Sequence, residues 1–196
     1  MRFHLLRKRV LIAALSLPVG ACEPADGSSE TASDTEAPDE LERVTIDARD
    51  ETRWVHFDLE AGAEVTPATP EDSPEWDLAF SRFNVAVNGG TSGSGGVVVA
   101  TLAGVTFDEV AQAPADGYVT DEVSSIPEPM ELEPGYAFDL WYDYDPITHA
   151  LSARGLIHVV RTVEGAYYKI ELLDYYDTAG SAGFVSFRYE PIEPPA

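Results

Sequence analysis

Histidine is the side chain best suited to acid–base work or metal ligation near neutral pH, and this 196-residue chain has 4, at positions 4, 56, 149 and 158. No two stand at His-x-His or His-x₃-His spacing, so a structural zinc site has no support. His158 shares a face with Leu156 and Val160 inside an apolar run, which predicts a satisfied interior position. His56 shares a face with Trp54 and Asp58, which predicts exposure. His149 follows Asp145-Pro-Ile-Thr148 in a connection between strands, where binding residues concentrate.

Other chemistry-bearing types give weaker signals. There is no phosphate-binding loop and no zincin motif; Ser94 lies among glycines but lacks the strand–turn–helix setting of a nucleophile elbow. With 35 acids, close carboxylate pairs are expected by chance and carry no information. Asp139-Leu-Trp-Tyr-Asp-Tyr-Asp145, read as a strand, puts Leu140, Tyr142 and Tyr144 on one face and Asp139, Trp141, Asp143 and Asp145 on the other. The spacing and glycine of a calcium loop are absent, so that second face is expected to be solvated. No catalytic arrangement emerges, and the chain is expected not to be an enzyme.

The elements that must position these residues are strands. From Leu41 onward, short runs rich in β-branched and aromatic residues alternate with Gly, Pro, Asp and Asn clusters. Val55, Phe57 and Leu59 fall on one face of the first clear run. Trp76-Asp-Leu-Ala-Phe80 alternates too, and its phase slips near Arg82-Phe83, where a bulge is expected. Five glycines in Gly89–Gly96 require a loop. Leu156–Thr162 and Tyr167–Tyr176 read as a hairpin with Gly165 at the tight position, and Gly183–Tyr189 as a last strand. Only Phe107–Ala113 offers a helical turn, stopped by Pro114. No repeat of 20–50 residues is visible. The predicted class is all-β, mainly antiparallel, with little helix.

The ends of the chain divide the charge. Residues 1–21 combine a basic start with the apolar run Val10–Val19, which reads as a signal peptide. Val19-Gly20-Ala21-Cys22 matches a bacterial lipobox, making Cys22, the sole cysteine, the expected lipid-attachment site. Residues 22–40 hold seven acids and no large apolar residue, and so are expected to be a disordered acidic tether. The domain expected over 41–196 keeps 28 acids against 8 bases. Such a charge argues against a nucleic-acid partner, because phosphates would be repelled. Membrane contact is expected only through the lipid.

Taken in order, Trp54-x-x-Phe57, Trp76-Asp-Leu-Ala-Phe80, Asn88-Gly-Gly-Thr-Ser-Gly93, Val160-Arg-Thr-x-x-Gly165-x-Tyr-Tyr-Lys-Ile170, Tyr175-Tyr176 and Phe184–Tyr189 resemble the HmuY family of bacterial surface lipoproteins. The resemblance covers about residues 42–192. It implies an all-β domain, exported and held at the outer membrane or cell surface. It further implies non-catalytic binding of haem for iron acquisition, with transfer to a TonB-dependent receptor. Members clamp the haem iron between two side chains, histidines in some and methionines in others, both established axial ligands. Here the matching strand-end position is Tyr144, and Met130 is the candidate in the segment around 124–135; His149 is the third. A second implied reading is a scaffold that has lost iron ligation and binds another apolar molecule or a protein partner.

Overall fold

The computed structural model describes residues 43–123, 135–138 and 141–196. The expected signal peptide, Cys22, the tether and Met130 lie outside the described residues. Among the described residues, eleven strands form three antiparallel sheets. They are β1 Arg43–Asp47, β2 Val55–Asp58, β3 Ala63–Val65, β4 Leu78–Ser81, β5 Asn84–Val87, β6 Val98–Leu102, β7 Tyr142–Tyr144, β8 Leu151–Ala153, β9 Ile157–Arg161, β10 Tyr167–Tyr176 and β11 Ala182–Pro191. The large sheet runs β1-β11-β10-β9-β6, a smaller one β3-β2-β4-β5, and β7 pairs with β8 alone.

Apolar side chains from the inner faces of the two larger sheets make the main core. Val55, Phe57 and Leu59 point inward as the alternation requires, together with Leu78, Phe80, Val85 and Val87. They meet Ile46, Val99, Val160, Ile170, Leu172, Val185 and Phe187 of the large sheet. β4 is buried on both faces, because Ala79 and Ala86 pack with Trp76 on the outward side. The outward face of the large sheet is covered by Phe107, Val110 and Ala113. Lys169 Nζ and Arg188 Cζ both sit over the Phe107 ring, 4.2 and 4.3 Å from its centroid, and pin that segment through cation–π contact.

Three local expectations are corrected. The phase slip at Arg82-Phe83 is the two-residue turn of the β4–β5 hairpin, closed by the Ser81–Asn84 pair, and not a bulge. Arg82 adopts φ +54°, the left-handed conformation such turns demand and one that usually selects glycine or asparagine. The helical turn at Phe107–Ala113 shrinks to the 3₁₀ turn Phe107–Glu109, started by a Thr106–Glu109 capping box. Trp141 is not on a solvated face: it precedes β7, is 3% exposed, and donates its indole N–H to the Phe83 carbonyl at 2.8 Å. Asp143 and Asp145 are exposed as expected. The β9–β10 hairpin has its Gly165 at φ +89°, and β11 follows.

Candidate functional site

Two cavities are built from different parts of this frame. The first, of about 640 Å³, lies against the β7–β8 hairpin and the β4–β5 turn. Its wall is aromatic, with Phe83, Tyr142, Tyr175 and Tyr176, and Arg82 is the guanidinium among its described lining residues. At its mouth are Tyr144 and His149. Tyr144 ends β7 and is 53% exposed, so it is not a core residue. Its Oη makes a short hydrogen bond to His149 Nδ1.

The turn between the two is stiff. Asp145 Oδ1 accepts from Ile147 N at 2.8 Å, and its Oδ2 accepts from the Thr148 hydroxyl at 2.7 Å. These bonds hold the Asp145 carboxyl below its ordinary pKa. His149 N donates to Asp145 O at 2.8 Å, and His149 itself adopts φ +58°. A residue without glycine's freedom is thereby held where its ring meets Tyr144. Chemically the pair is a phenol oxygen and an imidazole nitrogen beside aromatic walls, a donor set able to face a metal centre carried by a flat apolar ligand.

The second cavity, of about 530 Å³, opens on the outward face of the smaller sheet. Ala79 and Ala86, paired across β4 and β5, leave room at its floor. Trp54, Trp76 and Tyr136 wall it, and His56 sits edge-on to Trp76 with ring centroids 4.8 Å apart. The expectation of a simple exposed His56 is therefore corrected: it is half-buried, and burial lowers its pKa from the ordinary value, opposed by Glu71. His158 is interior as expected, 1% exposed, with Nδ1 bonded to Thr101 Oγ1 at 2.9 Å.

Of the three candidate ligands, the structure brings Tyr144 and His149 together; Met130 is among the residues not described. Sequence reasoning missed Asp77, which is 2% exposed at the junction of the larger sheets. The signal for it was available, since Asp77 stands between Trp76 and Leu78 in a largely apolar run.

Residues 50–189 match the family described as HmuY protein. No curated protein matches the chain by sequence. Among solved structures, the apo HmuY analog of Tannerella forsythia superposes with a TM-score of 0.61 at 19% identity, covering 78% of this chain and 95% of that one. Apo PinO from Porphyromonas gingivitis gives 0.59 at 17% identity, covering 79% and 98%. A Bacteroides vulgatus protein described as a candidate HmuY-like heme binding protein gives 0.55 at 19% identity, covering 75% and 89%. At these identities the likeness is one of fold, mainly antiparallel β-sheet.

Proposed function

Because the chain belongs to the HmuY family, we propose that it binds haem or a related tetrapyrrole without catalysis, for delivery to an outer-membrane receptor. The observation that carries this reading is the Tyr144–His149 pair at the mouth of an aromatic cavity. A phenol oxygen is a ligand type that proteins use for ferric haem, and His149 Nδ1 is hydrogen-bonded to that oxygen. The cavity lies within the range of small-molecule sites, and its ring-lined wall suits a flat apolar ligand. Among the described lining residues Arg82 is the base available to a propionate, a useful feature in a domain whose 28 acids repel anions. The lipobox at Cys22 supports an exported lipoprotein anchored at the outer membrane or cell surface. No described helix is long and apolar enough to cross a membrane.

The test is a titration of the purified protein with ferric haem, followed by the Soret band. Saturable binding is expected, weakened by about tenfold or more in Tyr144→Phe, the equivalent of about 1.4 kcal/mol. No spectral change at micromolar haem sinks the proposal.

The cleft walled by Trp54, Trp76 and Tyr136 favours a second reading, in which the family scaffold has lost iron ligation and holds another apolar molecule. In that case Tyr144→Phe is silent, and the ligand quenches fluorescence from Trp54 and Trp76.

A further inference from the structure

Asp77 joins two sheets through one carboxyl group. Its Oδ2 accepts from Leu59 N at 3.0 Å, just past β2 of the smaller sheet. Its Oδ1 accepts from Val163 N at 2.9 Å, in the β9–β10 turn of the large sheet. Glu60 stands beside it, with Oε1 accepting from Thr162 Oγ1 at 2.5 Å across the same seam. Carboxylate oxygens of Asp58, Glu60 and Asp77 all lie within 4.8 Å of one another.

Two carboxylates this close, one of them buried, repel when both are ionised. The groups facing Asp77 are Glu60 and Asp58 from β2 and its following turn, and the Tyr168 phenol from β10. None of these is a cation. Burial raises the Asp77 pKa to about 7 against the two backbone N–H bonds from Val163 and Leu59, which lower it, and Glu60 adds to the rise.

We propose that Asp77 and Glu60 hold one proton between them as a latch on the seam: with it the two turns lie together, and without it adjacent carboxylates push them apart. This goes beyond ligand binding, since it concerns how the two sheets are held. The direction follows from linkage. A carboxyl whose folded pKa lies above the unfolded value of 3.8 makes the folded state hold more protons between those two values. Stability from the latch is therefore fully present at acid pH, falls as pH rises toward about 7, and levels off above it.

The test compares unfolding of the full chain with that of E60Q in urea across pH 4 to 9. The amide of E60Q can donate to Asp77 and still accept from Thr162, so the latch stays closed without a proton. The ratio of the wild-type unfolding constant to that of E60Q is expected to rise by up to about tenfold per pH unit between about 5 and 7, then level. Taking the ratio cancels groups common to both proteins, His158 included. Carbon-13 spectra should show one Asp carboxyl titrating near pH 7 in the wild type and lower in E60Q. A flat ratio, or no Asp carboxyl titrating above about pH 6, overturns the proposal. So does the same flattening in E64Q, which removes an equal charge from exposed β3. Calcium that stabilises the wild type but not E60Q at pH 8 would put a cation where the proton is proposed, and would also overturn it.

Discussion

The Phe80 ring stacks on Phe187 with centroids 5.4 Å apart and planes 13° from parallel, so the smaller sheet and the large sheet meet ring on ring. Both side chains are fully buried, and Phe57 closes edge-on against Phe187 at 5.5 Å. Truncating such a residue leaves a void that rigid strands on both sides refill poorly. Phe187→Ala is expected to lower stability by about 3–5 kcal/mol, read from urea unfolding. Phe187→Leu, which keeps most of the volume, should lose clearly less.

Tyr144 is half exposed and its ring packs little, so removing the hydroxyl should leave the fold alone. Tyr144→Phe is expected to unfold within about 0.5 kcal/mol of the wild type, as surface changes usually do. Its ferric haem spectrum should nevertheless change. Equal loss of stability and of binding would instead mark Tyr144 as a packing residue, and thermal melts beside Soret titrations separate the two outcomes.

How far the sequence could be read depended on what each pattern encodes. Alternation in Val55-His-Phe-Asp-Leu59 specifies a face, and the core received the apolar half. Glycine density and the Thr162–Ala166 turn specify backbone, and both appear where the spacing put them. At Arg82 the pattern was misleading, because a left-handed turn without glycine looks like a phase slip in one strand. Trp141 and His56 were misplaced for a common reason. A side chain read onto a strand's outward face is exposed only if nothing covers it; Trp141, which precedes β7, is in the main core and bonds the Phe83 carbonyl, and Trp76 lies against His56. Tyr144 was singled out by the family resemblance and His149 by its place in a connection between strands, yet their contact depends on the β7–β8 register, which pairs Tyr144 with Leu151.

His158 carries a titration of opposite sign to that of Asp77. It is buried against Phe138, with ring centroids 4.6 Å apart, and desolvation pulls its pKa down to about 4. The fold therefore selects the neutral ring. Its stabilising contribution is present above the unfolded value of 6.5 and is lost as pH falls through about 4. His158→Leu should lose some stability at pH 7, where the bond to Thr101 is forfeited, and should flatten the acid limb between about pH 6.5 and 4. Unfolding midpoints across that range give the comparison, and an acid limb as steep as the wild type's would assign the loss to other groups.

Arg82 holds two roles that a pair of substitutions separates. Its backbone sits at φ +54°, which costs a residue bearing Cβ roughly 1 kcal/mol relative to glycine. Its side chain reaches Glu51 at 3.6 Å and lies 6.0 Å from the Tyr175 ring centroid, contacts that at a partly exposed site are worth little. Arg82→Gly should therefore be as stable as the wild type or slightly more so, while Arg82→Ala keeps the strain and should fall about 1 kcal/mol below Arg82→Gly. Haem affinity should drop equally in both, because both remove the guanidinium from the cavity wall. Urea midpoints and Soret titrations on the two variants supply the four values. Equal stabilities would show that the turn tolerates Arg82 without strain, and retained affinity would remove the guanidinium from the site.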